Sequence, residues 1–130
     1  MLAFEGNTGP YLLYALVRIR SIFRKAREKG LVHDPAAALR LAHPAERQLA
    51  LAMLRYPAAI ASVAESLEPH RLCTYAYELA GAFNAFFENC PVLAAEDEPT
   101  RRSRLRLADL AARVIEDALH TLGIATIDRM

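Results

Sequence analysis

The chain has 130 residues, enough for one domain with a buried core and too few for two. A formal net charge of +1 excludes a uniformly basic surface, so any phosphate binding must come from local clusters of cations. Two cysteines exclude a disulfide framework, and no stretch reads as a secretory signal or a membrane span, which together point to a cytoplasmic protein.

Alanine, leucine and arginine dominate, tryptophan is absent, and β-branched residues never alternate over a strand length. The expected fold is an all-α helical bundle with four principal helical regions. The first spans about residues 8–29, with Thr8 as N-cap, Pro10 in the first turn and Gly30 ending it. Leu12, Ala15, Leu16, Ile19, Phe23 and Ala26 share its apolar face at 3.6 residues per turn. Tyr14, Arg18, Ser21 and Lys25 lie about 180° away. A ring one turn before a guanidinium can stack on a base and hold a phosphate, or it can pack on a neighbouring helix beside ordinary surface.

A connector follows, with a turn at His33-Asp34-Pro35 and a helical turn over 36–40. The second region runs over about 43–66 and should kink or split at Pro57, which removes a backbone donor and clashes with the preceding turn. The third begins near Pro69 and ends before Pro91, with Leu72, Ala76, Leu79, Phe83 and Phe86 as its core stripe. Phe87 falls about 60° from the centre of that stripe, which allows either a rim core residue or an exposed stacking face. The fourth begins near Pro99 and ends at Gly123. Leu105, Ala108, Ala112, Ile115 and Leu119 form one of its stripes, and Leu107, Leu110, Val114 and Ala118 a second, which places this helix centrally.

The cations gather in two runs, Arg18 to Lys29 on the first helix and Arg101 to Arg106 ahead of the last. Each run reads as a phosphate-binding face or as a solvated surface with i,i+4 pairs. Catalytic patterns are missing. His33, His43, His70 and His120 are scattered, none at ligand spacing with another His or Cys, and Cys73 and Cys90 read as reduced core thiols.

The first helix also carries a resemblance. Gly9-Pro10-Tyr11-Leu12, Tyr14-Ala15, Arg18-Ile19-Arg20-Ser21-Ile22 and Arg24-Lys25-Ala26 resemble the first helix of the C-terminal anticodon-binding (DALR-type) domain of bacterial arginyl-tRNA synthetase. The resemblance resumes over 82–93, from Ala82-Phe83-Asn84 to Cys90-Pro91-Val92-Leu93. It continues through Ser103-Arg104-Leu105-Arg106 to the terminal Ile127-Asp128-Arg129-Met130, while 31–68 match only in helical character.

The resemblance implies one anticodon-binding domain over 1–130, with 1–8 as the junction to a catalytic domain and 124–130 as a C-terminal tail. It implies tRNA(Arg) and that catalytic domain as partners, with neither membrane nor DNA among them. The domain itself would hold no cofactor, metal or catalytic residue; ATP with Mg2+ would serve the full-length enzyme, which attaches arginine to tRNA(Arg). In the family an aromatic–arginine pair, a late aromatic of the third helix and the C-terminal methionine grip the anticodon loop. By position these are Tyr14, Arg18, Phe87 and Met130, with Lys25, Tyr77, Asn84 and Arg129 as further RNA contacts. Many family members have Tyr where this chain has Phe87, which puts any hydrogen bond from that position in doubt. The alternatives are the anticodon domain of a related class I synthetase, such as that for cysteine, and a free-standing helical interaction domain.

Overall fold

A computed structural model describes residues 8–66 and 68–123. Five helices follow one another: α1 (Thr8–Glu28), α2 (Pro44–Leu54), α3 (Tyr56–Ser66), α4 (Pro69–Asn89) and α5 (Glu98–Thr121). Among the described residues there is no strand, and no helix is long and apolar enough to cross a membrane.

Each boundary has a local cause. Gly30 adopts φ 71°, where a side chain would be strained, and lets the Leu31 amide turn back to the Ala26 carbonyl at 2.9 Å. His43 caps α2: its Nδ1 accepts from the Ala45 amide at 3.0 Å, while Glu46 accepts from the His43 amide at 2.8 Å. The expected interruption at Pro57 is a full break at Arg55, so one sequence region gives two helices. Asp97 caps α5 by accepting from the Thr100 amide at 2.8 Å. Thr8 is the first described residue of α1, and its role as a cap lies outside what is described.

The core stripe of α4 is buried as its spacing demands. On α1, Leu12, Ala15, Leu16, Ile19 and Ala26 are buried together with Ile22, and Phe23 is partly buried, packed against the core and edge-on to His33. Two expectations are corrected. The central helix is α4, which packs against each of the other four, whereas α5 packs against α1, α2 and α4. Both stripes of α5 are nevertheless used, with Leu105, Leu107, Ala108, Ile115, Ala118 and Leu119 buried and Leu110, Ala112 and Val114 at the margin.

The second correction concerns 36–40, which forms no helical turn. Asp34 makes an Asx-type turn by accepting from the Ala36 amide at 2.9 Å, and the chain beyond Ala36 is irregular. α5 supplies the partners that a helix would have given this backbone. The Ser103 hydroxyl accepts from the Arg40 amide at 2.8 Å, and Arg106 donates to the Ala37 carbonyl at 2.7 Å.

Candidate functional site

α1 and α4 run side by side in the same direction, so Tyr11 meets Tyr77 while Arg18, two turns on, meets Asn84 and Phe87. The two outward stripes close into one surface. Tyr14 is 60% exposed, and Phe87, which packs on the buried Phe83 ring at 6.1 Å, remains 39% exposed. Arg18 donates from Nη1 to the Asn84 Oδ1 at 2.9 Å, and its guanidinium carbon stands 5.3 Å from the centre of the Phe87 ring. Asn84 in turn donates from Nδ2 to the Tyr11 hydroxyl at 2.9 Å, which fixes the amide so that its oxygen faces Arg18. Tyr11 stacks on Tyr77 at 4.6 Å with 28° between the rings.

Past Arg18 the surface opens into a groove of about 320 Å³, lined by Arg18, Ser21 and Lys25 of α1, by Phe87, and by the loop 91–94. Ile22 and Val92 give it an apolar floor. A planar ring can rest there with cations at its edge, the chemistry that an unstacked base presents.

Most of the cations in the first run lack a carboxylate partner among the described residues. Among the described residues no carboxylate stands within ion-pair distance of Arg18, Lys25, Arg27 or Lys29. The second run of cations differs. Arg101 and Arg102 both pair with Glu98, at 2.5 and 2.9 Å. Arg104 pairs with the buried Glu46 at 2.8 Å, and Arg106 is bound to the connector backbone. Of this run, Arg101 and Arg102 follow the second reading, a surface paired within the helix, while Arg104 and Arg106 tie α5 to α2 and to the connector. Burial pushes the Glu46 carboxyl up, but the hydrogen bond from Arg104, the His43 amide and the Arg104 charge outweigh it, and its net shift is down.

The structure thus brings together Tyr14, Arg18, Lys25, Tyr77, Asn84 and Phe87 on one face. Arg129 and Met130 lie outside the described residues. Asn84 and Tyr77 serve helix–helix contacts, as polar residues on facing helices commonly do, and Asn84 also aims Arg18. Three parts of the site escaped the sequence reading. Tyr11 is seven residues before Arg18 on the same stripe, a signal the helical period contained. Ser21 was on the stripe but given no role. The loop 91–94 lies in the resembling block as far as Leu93 but was given no role, and tertiary packing brings it to the groove.

Among the described residues no group of three or more His, Cys, Asp or Glu side chains could hold a metal ion. Burial pushes both cysteine thiols above their ordinary range, opposite to what an activated nucleophile needs.

The described residues form an all-helical domain with a groove beside Arg18, walled by α1, by Phe87 of α4 and by the loop 91–94. The sequence profile described as "DALR anticodon binding domain" matches residues 12–130, and the chain belongs to that family. Curated relatives named "Arginine--tRNA ligase" include one from Proteus mirabilis, 47% identical over 131 residues, covering 100% of this chain and 22% of the relative. A second, from Frankia casuarinae, is 53% identical over 130 residues, with 100% and 21% covered. The solved arginyl-tRNA synthetase of Thermus thermophilus superposes with a TM-score of 0.84 at 38% identity, covering 97% of this chain and 22% of that one. The arginyl-tRNA synthetase of Plasmodium falciparum gives 0.79 at 31% identity, with the same coverage. The chain spans about a fifth of the length of the curated relatives it matches.

Proposed function

We propose that this chain is the tRNA-reading part of an arginine–tRNA ligase and that the α1–α4 face grips the anticodon loop of tRNA(Arg). The observation that carries the reading is the Tyr14–Arg18–Phe87 surface, where exposed rings adjoin cations with no described carboxylate beside them. Loop bases are single-stranded and splay outward, so they are read by stacking and by hydrogen bonds to their edges. In this reading Tyr14 and Phe87 offer stacking faces. Arg18 is steered by Asn84 and by the Phe87 ring toward a base edge or phosphate, and Lys25 holds backbone phosphate further along α1. Arg129 and Met130 join from the tail, a role that rests on the resemblance.

The whole ligase would act in the cytoplasm, using ATP with Mg2+ on a catalytic domain elsewhere in the polypeptide, while this domain positions the tRNA and checks its anticodon. Exposed Leu51 and Leu54 on α2 favour a second reading, a helical domain that binds protein. That reading requires no affinity for tRNA. The test is binding of tRNA(Arg) and of a non-cognate tRNA in low salt, with Tyr14→Ala, Arg18→Ala and removal of Met130. Loss of affinity and selectivity supports the site, and unchanged binding in all three variants removes it.

A further inference from the structure

The groove beside Arg18 has one wall that belongs to neither helix. Pro91, Val92, Leu93 and Ala94 form it, in the stretch between α4 and α5. Such a segment has no hydrogen-bond ladder of its own, so its position must be set from outside. The Cys90 amide still bonds the Phe86 carbonyl at 2.8 Å, which ends α4, and the Ala95 amide reaches the Val92 carbonyl at 3.4 Å. The Pro91 carbonyl is then taken by Arg104, which donates from Nη1 at 2.7 Å.

Arg104 is itself immobilised. Its Nε donates to Glu46 Oε2 at 2.8 Å, and its side chain is 12% exposed. Glu46 belongs to α2, is 1% exposed, and is held by the His43 amide through its other oxygen. A planar guanidinium with donors pointing two ways thus links α2, α5 and the groove wall. A buried ion pair is weak evidence for stability alone, because burial costs about as much as the attraction returns. In some proteins a buried pair serves to specify geometry, and the geometry within reach of this one is the wall of the groove.

We propose that Arg104 is a positioning residue for RNA recognition: held by Glu46, it sets the Pro91–Ala94 wall against Arg18 and Phe87 without touching RNA itself. The inference deepens the anticodon reading and rests on it for its RNA-binding part, while the mechanical part stands alone.

The test uses the full-length polypeptide and Glu46→Gln with Arg104→Met, which removes both buried charges and keeps the acceptor for the His43 amide. Melting should stay close to wild type, because paired removal leaves no uncompensated charge. Affinity for a tRNA(Arg) transcript should fall roughly tenfold, the scale of one lost hydrogen bond to a charged group. The slope of affinity against salt should not change, because no phosphate contact is lost. Wild-type affinity in that variant, with Arg18→Ala impaired, overturns the proposal. Arg104→Lys keeps a cation at Glu46 without the two-directional fork and serves as the second variant. In it, amide hydrogen exchange should accelerate at 92–95 and stay constant through α4. Acceleration spread equally over α4, or none at 92–95, overturns the clamp. If Arg18→Ala leaves tRNA binding untouched, the anticodon reading fails, and the exchange pattern still decides whether Arg104 sets the loop.

Discussion

The two runs of cations, one on α1 and one at the start of α5, are alike in composition and opposite in use. On α5, Arg101 and Arg102 lie one turn beyond Glu98, Arg104 reaches the buried Glu46, and Arg106 reaches the connector backbone. On α1, Arg20 pairs with Glu116, but Arg18, Lys25, Arg27 and Lys29 have no carboxylate within ion-pair distance among the described residues. A cation surrounded by its own protein's acceptors is structural, and one left facing rings and solvent is available to a partner. Identity of residue type therefore says little about role, and the placement of acceptors says most.

Breaking the comparison on the α5 side should give the largest effect. Arg104→Ala leaves Glu46 buried without its partner and should cost about 3–5 kcal/mol in urea unfolding. Because Glu46's carboxyl is held below its ordinary value of 4.5, the pair's contribution is fully present above that pH and declines as pH falls below it. The stability gap between wild type and Glu46→Gln should accordingly narrow on acidification below pH 4.5, as measured by thermal melts in a pH series.

On the α1 side the expected pattern reverses. Tyr14→Ala should leave unfolding within about 0.5 kcal/mol of wild type, as an exposed ring with no core contact allows. The same substitution should weaken tRNA binding by about 1–3 kcal/mol if a base stacks there, read by fluorescence titration. The smallest effect is expected from Lys25→Ala. It should reduce the slope of log affinity against log salt by about 0.7 and leave selectivity intact, as the loss of one contact to backbone phosphate would. Arg102→Ala, at an exposed pair, serves as the control and should change neither.

Helix limits were legible because proline at helix starts and glycine after helix ends act locally. The outward stripe of α1 was legible for the same reason: Tyr14, Arg18 and Lys25 are fixed on one face by helical period alone. Whether that stripe met anything was not. Phe87 joins it only because α4 lies parallel to α1, and the angle read from the sequence left its ring between core and surface. The fate of Arg104 was also hidden, since Glu46 is 58 positions away and buries its carboxylate only once α2 and α5 pack. The 36–40 segment failed as a helical turn because α5 side chains compete for its backbone, a competition no local window contains.

The central claim is that the α1–α4 face reads anticodon bases as well as binding phosphate. It is tested most directly by the ratio of affinities for tRNA(Arg) and for the same transcript with one anticodon base replaced, in wild type and in Arg18→Ala. Wild type should show a clear preference that shrinks toward unity in the variant. An Arg18→Ala protein that binds both transcripts more weakly but keeps the wild-type ratio would contradict it, because Arg18 would then be serving only as a charge.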